Sequence, residues 1–215
     1  SEMCIRDRKK SKVISEKEKK ITAYHESGHA ILFHVLPDMD PVYTISIIPT
    51  GMGAAGYTMP LPDNDEMFNT KNKMLEDITT LLGGRVAEEI IFGDITTGAS
   101  NDIKRATETA RSMVMKYGMS EKIGLIAYGN DDDEVFIGRD LAHTRGYSEE
   151  VAREIDAEIS RIIRECHENA ESIIRENIGV LHSCAALLLE KEKIHREEFE
   201  ALFTTEKEEV AKTNE

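Results

Sequence analysis

Apolar residues recur at helical spacing along most of the chain. Ser15 and Glu18 form a capping box in front of the first such stretch, and Pro37 stops it. Later stretches end at glycines, which favour helix termination. The pattern predicts helices over about residues 16–36, 70–92, 102–117, 151–174, 180–189 and 196–203.

A short β-rich section follows the first predicted helix. Val42 to Ile48 is apolar and β-branched, and the chain can return as a second strand over residues 55–59 after a glycine-containing turn. Two further short strands are predicted over 125–128 and 135–138. The pattern therefore predicts a mostly α fold with a small β-hairpin or sheet element.

Gly83 and Gly84 interrupt the second helical pattern. A glycine costs a helix roughly 1 kcal/mol relative to alanine. We expect the close approach of another backbone to compensate for this cost.

Composition narrows the class of protein. The 215 residues suffice for one substantial domain, and 40% of them are hydrophobic. The net charge of −14 argues against a nucleic-acid partner, because a phosphate backbone needs basic residues. Three widely spaced cysteines indicate reduced thiols, and no apolar stretch approaches the roughly 18 residues of a membrane span, so a soluble fragment is expected.

Polar and charged ends bound the predicted domain. Residues 1–11 are interpreted as a flexible lead-in or a cloning remnant. Residues 12–204 form the predicted domain. Residues 205–215 are a charged tail that is predicted to be disordered.

Candidate chemistry lies in the first predicted helix. His25, Glu26 and His29 match the H-E-x-x-H pattern, which places two imidazoles on one helix face where they can bind one metal ion. A catalytic zinc uses three protein ligands and keeps a fourth position for water. Glu26 can then take a proton from that water and pass it to a leaving amine. The pattern predicts a zincin-type peptidase that hydrolyses amide bonds.

The third zinc ligand is open on spacing alone. A metzincin would need glycine at position 32 and histidine at position 35, and the chain has Leu32 and Val35. A glutamate on a downstream helix, Glu88 or Glu89, is one candidate. Asp102 is the other, although an acidic residue in the first turn of a helix is favoured by the helix dipole without any metal.

Four motifs resemble one known family, the peptidase domain of the FtsH family of AAA+ membrane proteases. They occur in the family's order and spacing at residues 24–30 (YHESGHA), 82–90 (LGGRVAEEI), 96–103 (TTGASNDI) and 117–124 (YGMSEKIG). The resemblance covers about residues 12–204. It implies that His25, His29 and Asp102 bind one Zn²⁺ and that Glu26 is the catalytic glutamate. Ser27 replaces a more usual alanine.

The resemblance also implies partners. Family members carry a membrane segment and an ATPase module ahead of the peptidase, and this sequence contains neither a G-x-x-x-x-G-K-[ST] loop nor a membrane helix. We therefore expect an isolated peptidase domain, whose AAA+ ATPase module is missing from the chain and whose substrates are unfolded proteins. A homohexamer is implied, within a full-length protein anchored in a membrane with this domain in the cytoplasm or an organelle matrix.

A rival hypothesis is a non-catalytic helical interaction module with a structural metal or none. Glu26 argues against it, because a structural metal site gains nothing from a carboxylate beside the water position. Metal content measured together with peptidase activity separates the two hypotheses.

Overall fold

A computed structural model of the chain describes residues 15–50, 55–62, 67–128 and 147–213, with side chains up to residue 204. Its α-helices are α1 (Glu16–Val35), α2 (Lys71–Phe92), α3 (Ser100–Met115), α4 (Glu149–Glu176), α5 (Ile178–Lys191) and α6 (Arg196–Thr213). Its strands are β1 (Val42–Ser46), β2 (Tyr57–Pro60) and β3 (Lys193–His195), and a 3₁₀ turn covers Thr97–Ala99. The predicted mostly α fold with a small sheet is confirmed.

Helix α1 begins as its sequence predicts. The Ser15 hydroxyl accepts a hydrogen bond from the Glu18 amide at 3.2 Å, and the Glu18 carboxylate accepts one from the Ser15 amide at 3.0 Å. This capping box satisfies amides that lack partners inside the helix. Most residues of α1 from Thr22 to Leu32 are buried, so the polar side chains there must find partners within the protein.

Glycines let α1 and α2 pack backbone to backbone. A Cβ atom on Gly83 would lie 2.9 Å from the carbonyl oxygen of Gly28, and one on Gly28 would lie 2.8 Å from the Cβ of Ala87. Neither helix could therefore carry a larger residue at these positions without moving apart. The close approach of another backbone is confirmed at Gly83, and it brings the H-E-x-x-H face of α1 against α2.

The sheet has the order β2-β1-β3, and both pairings are antiparallel. Strand β3 was not predicted. It is three residues long, with Ile194 fully buried between two exposed neighbours, and it pairs with a strand about 150 positions earlier. A segment of three residues has too little periodicity for a strand to be predicted from it. It forms a strand because it pairs with β1.

Two predictions about the rest of the chain are wrong. Residues 125–128 form no strand, and Leu125 is 95% exposed. The predicted partner strand at 135–138 lies outside the described residues. Helix α6 continues to Thr213, beyond the predicted helix end at residue 203, because the added segment is rich in the helix formers glutamate and lysine.

Two apolar clusters build the core. One joins α1, the sheet, α5 and α6 with the C-terminal parts of α2 and α4, and the other joins α2, α3 and the N-terminal part of α4. Helices α2 and α4 contribute to both clusters and so connect them. Residues 1–11, the predicted lead-in, lie outside the described residues.

Among the described helices, none is by itself long and apolar enough to cross a membrane. The bent pair α4 and α5, which meet at 80°, reaches that length and apolarity only when the two are taken together.

Candidate metal centre

The two histidines of α1 face each other across one helical turn. The Nε2 atom of His25 lies 3.1 Å from the Nε2 atom of His29. His29 is 9% exposed and His25 is slightly more accessible. The i, i+4 spacing predicted this shared face.

Asp102 reaches the same point from α3. Its Oδ2 atom lies 3.5 Å from Nε2 of His25 and 3.8 Å from Nε2 of His29. The structure starts α3 at Ser100, two residues before the predicted start, so Asp102 occupies the first turn of that helix. These three residues offer ligand atoms that all lie within 4.8 Å of one another.

The outer nitrogen of each imidazole is held by an acceptor. Nδ1 of His25 donates to the Glu88 carboxylate at 2.8 Å, and Nδ1 of His29 donates to the Thr80 carbonyl at 2.8 Å. Because a carbonyl and an ionised carboxylate can only accept, each Nδ1 carries the proton and each Nε2 faces the shared point. A catalytic zinc commonly has two histidine nitrogens and one carboxylate oxygen as ligands. Its histidines are oriented by hydrogen bonds from the outer ring nitrogen to partners of this kind. The residues present therefore fit Zn²⁺.

The electrostatics of this point favour a positive charge. Burial opposes a charged His25, yet its hydrogen bonds with Asp102 and Glu88 outweigh that and raise its pKa to about 9. Burial and the neighbouring charge of His25 lower the pKa of His29 to about 4. Without a metal, one proton on His25 thus supplies the charge that the carboxylates attract, and a metal ion must displace it in order to bind.

Glu26 lies beside the histidines and is 6% exposed. Burial raises its pKa to about 7, and the charge of His25 and a hydrogen bond from Thr58 oppose the rise only in part. The Thr58 hydroxyl lies 2.8 Å from the Glu26 carboxylate. A carboxyl group that titrates near neutrality can both accept and return a proton.

The alternative third-ligand candidates lie elsewhere. Glu88 is 1% exposed and binds the outer side of the His25 ring, away from the shared point. Glu89 faces another direction, where its carboxylate accepts hydrogen bonds from Arg85 at 2.9 Å and from His167 at 3.0 Å. Of the sequence candidates, only Asp102 reaches the two inner nitrogens.

Three supporting residues were missed by sequence reasoning. A Cβ atom on Gly84 would lie 2.5 Å from Cε1 of His25, so glycine leaves the space that this imidazole occupies. Gly84 lies four residues before Glu88 and so on the same helix face, which was an available signal for that contact. No local signal identifies Thr58 or the Thr80 carbonyl, because their partners lie 32 and 51 positions away.

Comparison with known proteins gives a consistent family. The profile described as peptidase family M41 matches residues 12–202. The chain is 54% identical over 198 residues to ATP-dependent zinc metalloprotease FtsH 1 of Thermoanaerobacter sp. (strain X514). The matched region covers 92% of the chain and 32% of that protein.

Two more relatives carry the same description. ATP-dependent zinc metalloprotease FtsH of Caldicellulosiruptor bescii is 56% identical over 194 residues, or 90% of the chain and 31% of that protein. The protein so named in Thermotoga maritima is 50% identical over 202 residues, or 94% of the chain and 33% of that protein. The chain thus spans about a third of the length of these curated relatives.

Proposed function

Because the chain belongs to peptidase family M41, we propose that it is a zinc-dependent endopeptidase domain that hydrolyses peptide bonds of unfolded polypeptides. His25, His29 and Asp102 hold one Zn²⁺, and Glu26 is the proton-transferring residue. The observation that carries this proposal is the convergence of two Nε2 atoms and one carboxylate oxygen within 4.8 Å. The zinc metalloproteases among its relatives support the choice of metal.

The proposed mechanism divides the work between the metal ligands and Glu26. Zn²⁺ bound here supplies Lewis acidity, which polarises the scissile carbonyl and lowers the pKa of the attacking water to roughly 7. Glu26 takes the proton of that water on its carboxylate and then delivers it to the nitrogen of the leaving amine. Thr58 and the packing of α1 hold the carboxylate in place for both transfers.

Removal of the metal tests the proposal. We expect the zinc-loaded chain to cleave an unfolded polypeptide, a strong chelator to abolish cleavage, and added Zn²⁺ to restore it. Appearance of new amino termini in the substrate measures the rate. A stably folded domain serves as the control and should be spared, since a stability of roughly 5–15 kcal/mol exposes its chain too rarely. Full activity after verified loss of zinc would refute the proposal.

We further propose that the substrate lies along β2. In the sheet order β2-β1-β3, strand β2 has one edge unpaired among the described strands, and its Thr58 contacts Glu26. Gly56 brings this strand close to the site, since a Cβ atom there would lie 3.0 Å from Cγ of Glu26. An extended peptide added to a sheet edge is held by its backbone and therefore with little dependence on side chains.

Backbone N-methylation of a peptide substrate tests this binding mode. Each methyl group removes one donor, and a hydrogen bond is worth about 0.5–1.5 kcal/mol, so KM should rise about 2- to 10-fold at alternate positions. The intervening positions, which point away from β2, are internal controls. A KM that is insensitive to methylation at every position flanking the scissile bond would exclude edge pairing.

For the full-length protein we propose a larger assembly. The chain would be the proteolytic part of an ATP-dependent protease whose AAA+ ATPase module delivers unfolded substrate, within a homohexamer. Its relatives are named ATP-dependent, and the chain spans only a third of their length. A membrane anchor outside this chain would keep the peptidase domain in the cytoplasm or an organelle matrix.

A further inference from the structure

Thr96 binds both oxygens of the buried Glu88 carboxylate. Its amide donates to Oε2 at 2.8 Å, and its hydroxyl donates to Oε1 at 3.2 Å. Its carbonyl oxygen accepts a hydrogen bond from Arg85 at 3.4 Å. The amide, hydroxyl and carbonyl of Thr96 therefore all form hydrogen bonds with residues of α2, although Thr96 itself is exposed.

The contact with Glu88 orients a histidine. Oε1 of Glu88 accepts from the Thr96 hydroxyl and also from Nδ1 of His25 at 2.8 Å. The χ3 angle of a glutamate has broad preferences, so a carboxylate with a single hydrogen-bond partner can rotate about it. The two bonds from Thr96 fix that torsion, and this fixes the direction in which the His25 ring presents Nε2.

The same hydroxyl also begins the segment that carries Asp102. It accepts a hydrogen bond from the Gly98 amide at 3.1 Å and so caps the 3₁₀ turn Thr97–Ala99. That turn continues directly into α3, whose first turn contains Asp102. Ala99 is fully buried and anchors the junction. The hydroxyl donates its one proton to Glu88 and accepts from Gly98 on a lone pair, so both bonds coexist.

We propose that Thr96 is a positioning residue that couples the orientations of two proposed zinc ligands. It orients His25 through Glu88, and it positions Asp102 through the 3₁₀ turn that precedes α3. It is not one of the three proposed metal ligands. The inference rests on the proposed zinc site and adds to it a residue that sets how well the ligands are aligned for the metal.

A purely local capping role makes a different prediction. A residue that only caps the turn would affect zinc affinity equally whether or not Glu88 is present. A residue that also acts through Glu88 would lose that part of its effect once the carboxylate is removed. A double-mutant cycle between Thr96 and Glu88 separates the two roles.

The test measures the zinc dissociation constant of the full chain by competition with a chromophoric chelator. Thr96→Val should weaken binding about tenfold, the lower end of the effect of outer partners of metal ligands. Thr96→Ser keeps the hydroxyl and should stay within about twofold of wild type, since serine caps as well as threonine. Thr107→Val is the matched control and should leave zinc affinity unchanged, because among the described residues the hydroxyl it removes donates to the Ile103 carbonyl on α3.

In a Glu88→Ala background, the further effect of Thr96→Val should fall below about threefold, because only the capping contribution remains. An equal loss in both backgrounds, or wild-type affinity of Thr96→Val, would overturn the coupling and leave the zinc site intact. Failure of the wild-type chain to bind zinc would overturn the proposed function and this inference together.

Discussion

Replacement of Glu26 by glutamine is expected to leave zinc bound and to lower peptide hydrolysis by about 10² to 10⁴-fold, the usual contribution of a general acid–base residue. The amide keeps the size of the buried side chain but cannot accept and return a proton. The histidines proposed to hold the metal have their own partners, Glu88 and Thr80, and the substitution removes no atom of either hydrogen bond.

The measurement pairs metal content by mass spectrometry with kcat on a fluorogenic peptide. Glu16→Gln, an exposed glutamate in the first turn of the same helix, is the matched control and should retain wild-type activity. Loss of zinc in Glu26→Gln would assign the carboxylate a role in binding the metal. Retention of most activity with zinc bound would refute its role in proton transfer.

The second large effect is expected at Asp102. Asp102→Ala removes one of three proposed ligands, and zinc affinity should fall by more than the roughly 100-fold that marks the upper end for outer partners. Hydrolysis should be lost with the metal. Glu89→Ala should largely keep zinc, because Glu89 binds Arg85 and His167 rather than the imidazoles of His25 and His29.

Both variants are measured by chelator competition at one pH, because the ligands must lose protons to bind zinc. Circular dichroism of the metal-free proteins checks that each variant folds. The reverse pattern, with zinc kept in Asp102→Ala and lost in Glu89→Ala, would move the third ligand to α2 and place the site in the gluzincin class.

Features encoded locally could be predicted from the sequence. The capping box at Ser15 and the periodicity of the long helices predicted all four ends of α1 and α2 to within one residue. The His25 and His29 pair follows from the helical repeat alone, since residues four apart share a face. The glycine pair also predicted the close backbone contact that the structure shows at Gly83.

Short elements were harder to predict. A three-residue strand such as β3 carries almost no periodic signal, and it exists because β1 offers a partner. The segment at 125–128 shows the converse, in which an apolar run is left exposed and forms no strand. The extension of α6 to Thr213 shows that charge alone does not prevent a helix of good helix formers.

The local pattern of the chain establishes a helical fold, a histidine pair with an adjacent glutamate, and a choice between Asp102 and the glutamates of α2. Three-dimensional packing adds the rest. It places Oδ2 of Asp102 3.5 Å from Nε2 of His25 and turns Glu88 to the opposite side of that ring. It also brings Thr58 to Glu26 and Thr96 to Glu88. These contacts depend on how α1, α2, α3 and the sheet approach one another, and that approach is set by burial summed over many side chains, which no local spacing records.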